Sequence, residues 1–324
     1  KHLGTSHTEL YITKDNLLNT VPQIKNIYDE PFADSSQIPT YLISKLAKEH
    51  VKVALSGDGG DEIFGGYNRY IFIEKYWKTI SFFPISVRNI IYEIYKLIPI
   101  FLFELILNKI LRMDIYNIES SLNKVFEILK SNNINQAYSN LISIFLKSSD
   151  IIQDINNPSI DDIVLSDDFN NSELMMIEDS KNYLPNDILT KVDRASMSVS
   201  LETRIPFLDH KVFEYAWSLP YHFKIRKIKG KFDNKHILKK ILSKYLPKEL
   251  IKKKKMGFAI PLSSWLRNEL RDWSEDLIDE KKIKIQGYLN HTLVKSMWSD
   301  FINGKKIYDN KIWSILMFQS WLER

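Results

Sequence analysis

The spacing of apolar and polar positions divides the chain into two regimes. Thr8 to Thr13 alternates, with Leu10 and Ile12 on one side, and predicts a short strand. Leu17 to Tyr28 and Ile38 to Glu49 follow with helical spacing, the second placing Leu42, Leu46 and Ala47 together. Val51 to Leu55 reads as the next strand and runs straight into a glycine-rich turn. Strand, helix and strand in that order predict a parallel sheet with crossover connections. From about Asn68 onward strand signals fade and helices dominate.

Residues 84–112 are rich in isoleucine and aromatics and are punctuated by Pro84 and Pro99. The most apolar stretch, Ile90 to Leu107, is interrupted by Glu93, Lys96, Pro99 and Glu104, so it predicts a buried helix rather than a bilayer span. Residues 114–172 predict short helices joined by polar loops. Lys235 to Tyr245 places Ile237, Leu238, Ile241, Leu242 and Tyr245 on one face before Pro247 stops it. No repeat or long linker separates the regions. The division expected is residues 1–70 as part of an α/β core and 71–324 as a mainly helical remainder, with 184–209 and 252–266 returning to the site.

Composition narrows the chemistry. With 324 residues and 44% apolar side chains a real core is assured, and disorder is excluded. Cysteine is absent, which removes disulfides, thiolate nucleophiles and thiolate zinc sites. The seven histidines show no i,i+4 pairing, against a histidine metal site. A net charge of +5 is mild at this size and does not itself predict nucleic acid. The first residues carry no apolar signal-peptide core, which favours a cytoplasmic protein, and the start at Lys1 without methionine predicts a piece of something longer.

Ser56-Gly-Asp-Gly-Gly-Asp-Glu62 closes the Val51–Leu55 strand, with Gly65 and Gly66 just beyond. Ligands of open parallel sheets bind at strand carboxyl ends, and glycines there let main-chain N–H groups approach a phosphate. Asp58, Asp61 and Glu62 would repel bare phosphate but suit one bridged by Mg²⁺. An acidic surface turn is the plain alternative. The spacing fits neither the dinucleotide fingerprint, nor a Walker loop, nor a calcium loop, so another nucleotide fold is required.

Asp187, Lys191, Arg194 and Ser198 share one helical face, opposite Ile188, Val192, Ala195 and Val199. This is either a surface helix with an i,i+4 Asp–Lys pair or a helix lining a polar cleft. Glu202, Arg204 and Asp209 follow among large apolar residues, where charges are usually paired. The Lys252–Lys255 run before Gly257 is either basic surface or a turn that projects one lysine onto phosphate charge. Lys224, Arg226, Lys227, Lys229 and Lys231 thicken the basic patch, but no aromatic-interleaved RNA motif accompanies them.

Four strings, in order, resemble the synthetase domain of the glutamine-dependent (class B) asparagine synthetases. They are Asp29–Ser36 (DEPFADSS), Ala54–Tyr70 (ALSGDGGDEIFGGYNRY), Leu184–Met197 with Glu202–Asp209, and Lys255–Phe258 (KMGF). The resemblance implies an α/β fold of the ATP-pyrophosphatase type with a parallel-sheet core. It implies ATP and Mg²⁺, adenylation of the aspartate side chain with loss of pyrophosphate, and displacement of AMP by ammonia. Ser56 and Gly57 are implied to contact the nucleotide and Asp61 to hold Mg²⁺. Asp58 matches the acidic position associated with adenylation, and Lys255, or its neighbour Lys254, matches the lysine that stabilises phosphate charge. Asp187 matches an acidic residue orienting the amine or that lysine, with Lys191 equally well placed on the helix.

The family's glutaminase domain, with its catalytic cysteine, and its Ser-Gly-Gly-x-Asp-Ser pyrophosphate loop have no counterpart here. The expectation is an N-terminally truncated synthetase domain, inactive without that loop. A homodimer is compatible with this reading; nucleic acid and membrane partners are not expected. Synthetases of the same scaffold acting on another carboxylate (β-lactam formation, polysaccharide amidation) and a non-catalytic interaction fragment are the alternatives.

Overall fold

A computed structural model describes residues 2–104, 118–145, 151–153, 169–251, 260–305 and 308–324. The chain gathers into two compact units. One comprises Lys1–Phe72, Leu165–Pro261 and Ser320–Arg324, the other Ile73–Val164 and Leu262–Gln319. The architecture is mixed α/β and mostly helical, with a small parallel sheet.

In the first unit Thr13 caps the Lys14–Thr20 helix. Its hydroxyl accepts from the Asn16 N–H at 3.2 Å and the Asn16 side chain accepts from the Thr13 N–H at 3.0 Å. The helical pattern from Leu17 to Tyr28 holds, but the chain tightens to a 3₁₀ helix over Val21–Asn26, where Pro22 supplies no N–H. Leu17, Val21, Ile24 and Tyr28 are all buried. The strand expected over Thr8 to Thr13 does not form. Leu10 and Tyr11 are exposed, and without a neighbouring edge or an apolar layer to cover, alternation alone does not make a strand.

The second expected strand does form. Strand β1 (Val53–Leu55) pairs in parallel with β2 (Glu202–Arg204), in the register Val53↔Glu202, Ala54↔Thr203 and Leu55↔Arg204. Hydrogen bonds from Ser56 N–H to the Arg204 carbonyl and from Glu202 N–H to the Lys52 carbonyl extend the ladder at both ends. The Gln37–Lys48 helix forms as its pattern predicts and packs on the Thr190–Met197 helix. Immediately before the latter, Asp179–Leu189 is wound as a π-helix containing Pro185. Strands β3 (Arg226–Ile228) and β4 (Lys231–Asp233) form a hairpin. Its tip, Lys229-Gly230, has φ of 49° and 80°, the twist that a tight two-residue hairpin turn requires.

The second unit is mainly helical in its described residues, with an isolated antiparallel bridge between Ile152 and Leu289. Leu266, Leu277, Val294, Phe301, Ile312, Trp313 and Leu316 form its buried interior. The helix expected to be buried from Ile90 onward breaks at Pro99 into Ile85–Leu97 and Ile100–Glu104 and is largely exposed. Ile90, Ile94 and Leu97 are 60%, 52% and 83% exposed. Tyr92 and Tyr95 face inward instead. Tyr95 stacks on Phe126 at 3.7 Å and donates to Asn123 at 2.7 Å, while Tyr92 donates to Glu127 at 2.5 Å. Aromatic rings with polar tips satisfy both the apolar and the polar parts of that contact, so they take the inner face. The last residues of the predicted stretch lie outside those described.

Candidate active site

The turn after β1 is built by close approach. Ser56 Oγ donates to the Asp58 carboxylate, and the Asp58 N–H returns a bond to Ser56 Oγ at 3.2 Å. Gly57 has open space where a Cβ would stand. Gly59 has φ +76°, and a Cβ there would press on the Leu208 side chain, so the segment after β2 packs directly on this turn. Ser56, Gly57 and Asp58 thus share one tight turn, and Asp61 lies in the short Gly60–Ile63 helix that follows it.

Two partners of this turn come from far along the chain. Asp61 pairs with Lys235 at 2.9 Å, and Asn234 Nδ2 donates to the Gly66 carbonyl at 2.7 Å. A Cβ on Gly66 would overlap both the Asp61 carboxylate and the Lys235 side chain, which explains the glycine. The sequence pattern marks Lys235 only as the start of an amphipathic helix. Its φ of 49°, just after the β3–β4 hairpin, aims it back at Asp61. Glu62 is 1% exposed and accepts from the Tyr67 hydroxyl at 2.6 Å. Burial pushes its carboxyl pKa up, against the pull of that hydrogen bond.

A cationic layer follows. Arg69 lies 4.1 Å from the Tyr67 ring centre and 4.7 Å from that of Tyr183. It also donates to Asp179 at 2.6 Å and 3.1 Å, and the Tyr70 hydroxyl donates to the same carboxylate. Asp179 is 1% exposed, so this is a buried charge with its hydrogen bonds supplied.

Beyond Arg69 stand Asp34, Asp187 and Lys191. Lys191 is buried and pairs at 2.6 Å with Asp34, not with Asp187 four residues before it. Asp34 also accepts from the Ser36 N–H at 2.9 Å and hydroxyl at 2.8 Å. Although burial opposes it, Lys191 and these bonds hold the Asp34 carboxyl below its usual range. Asp187 goes the other way. Burial first, then the Asp34 charge, raises its pKa to about 7, while Lys191 and Arg69 pull back. One of its oxygens is buried without a hydrogen-bond partner. The exposed i,i+4 Asp187–Lys191 pair does not form, because Lys191 is buried against Asp34 instead. Asp34 is a residue that sequence reasoning missed, although it lies inside a string already singled out.

Glu202 and Arg204 pair with each other at 2.7 Å on the surface, and Asp209 caps the His210–Ser218 helix through the Lys211 N–H. Lys254 and Lys255 lie outside the described residues.

The description Asparagine synthase belongs to the family model that matches residues 1–323. The chain belongs to the asparagine synthase family. It is 30% identical to asparagine synthetase [glutamine-hydrolyzing] 1 of Bacillus subtilis, over 98% of this chain and 48% of that protein. It is 27% identical to a putative asparagine synthetase [glutamine-hydrolyzing] of Mycobacterium bovis, over 98% of this chain and 46% of that one. Asparagine synthetase B of Escherichia coli shares 39% identity over 71 residues, 20% of this chain and 12% of its own length. The chain spans about half the length of the first two relatives. No helix among the described residues is long and apolar enough to cross a membrane.

The donor set bears on the nucleotide and magnesium expected for this family. Among the described residues no group of three or more carboxylates and histidines is placed to hold a metal by itself. Mg²⁺ takes one or two protein carboxylates and fills its remaining positions with phosphate oxygens and water, and Asp61, 2.9 Å from the Lys235 ammonium, is a single carboxylate of the kind such a phosphate-borne ion uses.

Proposed function

We propose that this chain is the synthetase part of an enzyme that forms asparagine from aspartate, ATP and ammonia drawn from glutamine. Its core in this reading is of the ATP-pyrophosphatase type, with residues 1–70 contributing to that core and the returning segments 184–209 and 252–266 completing the site. The observation that carries the proposal is the acidic glycine turn at the carboxyl end of β1, with Asp61 held by Lys235.

In this reading Ser56 and Gly57 contact the nucleotide, and Asp61 would hold Mg²⁺, which would supply positive charge beside the pyrophosphate oxygens. Lys235, 2.9 Å away, orients the Asp61 carboxylate. Asp58 serves adenylation of the aspartate side chain, and Lys255 stabilises phosphate charge as it develops. Ammonia then attacks the acyl carbon, AMP leaves, and the nitrogen must shed a proton. A carboxyl near pH 7 that already sits beside a second carboxylate suits that proton, so Asp187 is the acceptor and Lys191 fixes Asp34 against it. In this reading an N-terminal glutaminase domain, which the family resemblance implies, is the source of ammonia.

The test uses the complete gene product containing these 324 residues, with the 324-residue chain in parallel. Aspartate-dependent release of pyrophosphate and AMP, with asparagine as product, is expected of the former. Asp61→Ala and Lys255→Ala should each lower turnover at least about 100-fold. Near-normal turnover in both variants overturns the residue roles. Pyrophosphate release driven by another carboxylate, with aspartate inert, overturns the substrate.

A further inference from the structure

The helical unit contains a polar cavity that the proposed reaction does not use. It measures about 600 Å³ and lies among the Ile85–Leu97, Ile118–Leu129, His291–Ile302 and Asp309–Leu322 helices, a size that encloses a small ligand. Lys96, Lys130 and Lys311 line it, against a single carboxylate, Glu127, among the described lining residues.

The charges are not evenly balanced. Glu127 already accepts from Tyr92 and pairs with Lys130 at 2.5 Å. Lys96 pairs with the exposed Glu93 at 3.1 Å. Lys311 is left over: among the described residues no carboxylate stands within ion-pair reach of its ammonium. It is half-buried, 5.7 Å from the ring centres of both Phe145 and Tyr308. Burial pushes its pKa down, with the Glu127 charge resisting. An ammonium removed from water without a counter-ion is costly, and an anion placed on it recovers that cost.

We propose that this cavity binds a small anion, its phosphate or carboxylate head on Lys311 and its apolar body against Phe145, Tyr308 and Met297. Lys96 and Lys130 supply further positive field, and both rest on the Tyr92 ring, at 4.6 Å and 4.2 Å from its centre.

Calorimetric titration of the full 324-residue chain with phenyl phosphate and with phenylacetate tests this, and the arm that saturates names the head group. Lys311→Gln should weaken that binding about tenfold or more, and Lys311→Arg should keep it within about threefold. Lys284→Gln, an exposed lysine outside the cavity, should leave it unchanged. Binding of neither probe overturns the proposal, as does binding that survives Lys311→Gln. A second readout needs no substitution. After reductive ¹³C-methylation of the lysines, the Lys311 resonance should move on titration with the probe, and a stationary signal also overturns it.

Discussion

Replacing Asp187 by Asn removes a charge while keeping the shape, so it isolates the cost of ionising that carboxyl inside the fold. Its pKa rises from the usual 3.8 to about 7, chiefly by burial and secondly by the Asp34 charge. The folded state therefore keeps a proton that the unfolded chain releases. The stability this confers is complete below the unfolded pKa and is lost as pH rises through about 7. At about 1.4 kcal/mol per pH unit the full loss is about 4 kcal/mol. Part of it is repulsion from Asp34, which belongs to the pair, so the substitution should recover about 2–4 kcal/mol. The Asn amide can donate toward Asp34 as the protonated carboxyl does. Urea unfolding of both proteins at about pH 4 and about pH 8 gives the comparison, because all other titrations cancel in the difference. The variant should match the natural protein near pH 4 and exceed it near pH 8. A difference that is flat with pH, or a variant weaker at pH 8, refutes the assignment. If Asp187 also accepts the proton from ammonia, the same variant should lose turnover while gaining stability.

Arg69→Met takes the guanidinium away from the buried Asp179 carboxylate and should cost about 3–5 kcal/mol, read from the urea midpoint; a loss under about 1 kcal/mol refutes it. Gly66→Ala drives a methyl group into the Asp61–Lys235 pair and should cost about 1–3 kcal/mol, whereas Gly57→Ala, with open space at its Cβ, should stay within about 1 kcal/mol. Tyr67→Phe removes the donor to Glu62 and should cost about 1–3 kcal/mol where Glu62 is ionised. That bond favours the ionised form, so the cost should shrink as pH falls through the Glu62 pKa, and a pH-independent loss refutes it.

The turn at Ser56–Glu62 was legible because its signal is local, a short apolar strand running into glycines and acids, whereas the Leu208 side chain that packs on Gly59 and the Lys235 ammonium that meets Asp61 come from far along the chain and were not. The Gln37–Lys48 helix was legible for the same reason. Thr8 to Thr13 was not, because a strand is a property of its neighbour as much as of itself, and among the described residues no strand pairs with it. Lys235 and Asp34 escaped through distance. Lys191 meets Asp34 across 157 residues, and nothing in local spacing encodes such a meeting.

Asp187 and Lys191 are the instructive pair. Four residues apart on an α-helix, they belong on one face and should attract each other. Asp187, however, lies in the π-wound Asp179–Leu189 segment, where bonds run from i to i+5 and residues four apart no longer stack. Lys191 is freed for Asp34, and Asp187 is left beside a second carboxylate with only partial compensation from Lys191 and Arg69. The widened helix thus turns an ordinary surface pair into a carboxyl poised near pH 7. Burial remains the first cause of the raised Asp187 pKa and the Asp34 charge the second, and it is the long-range meeting with Asp34 that no local side-chain pattern records.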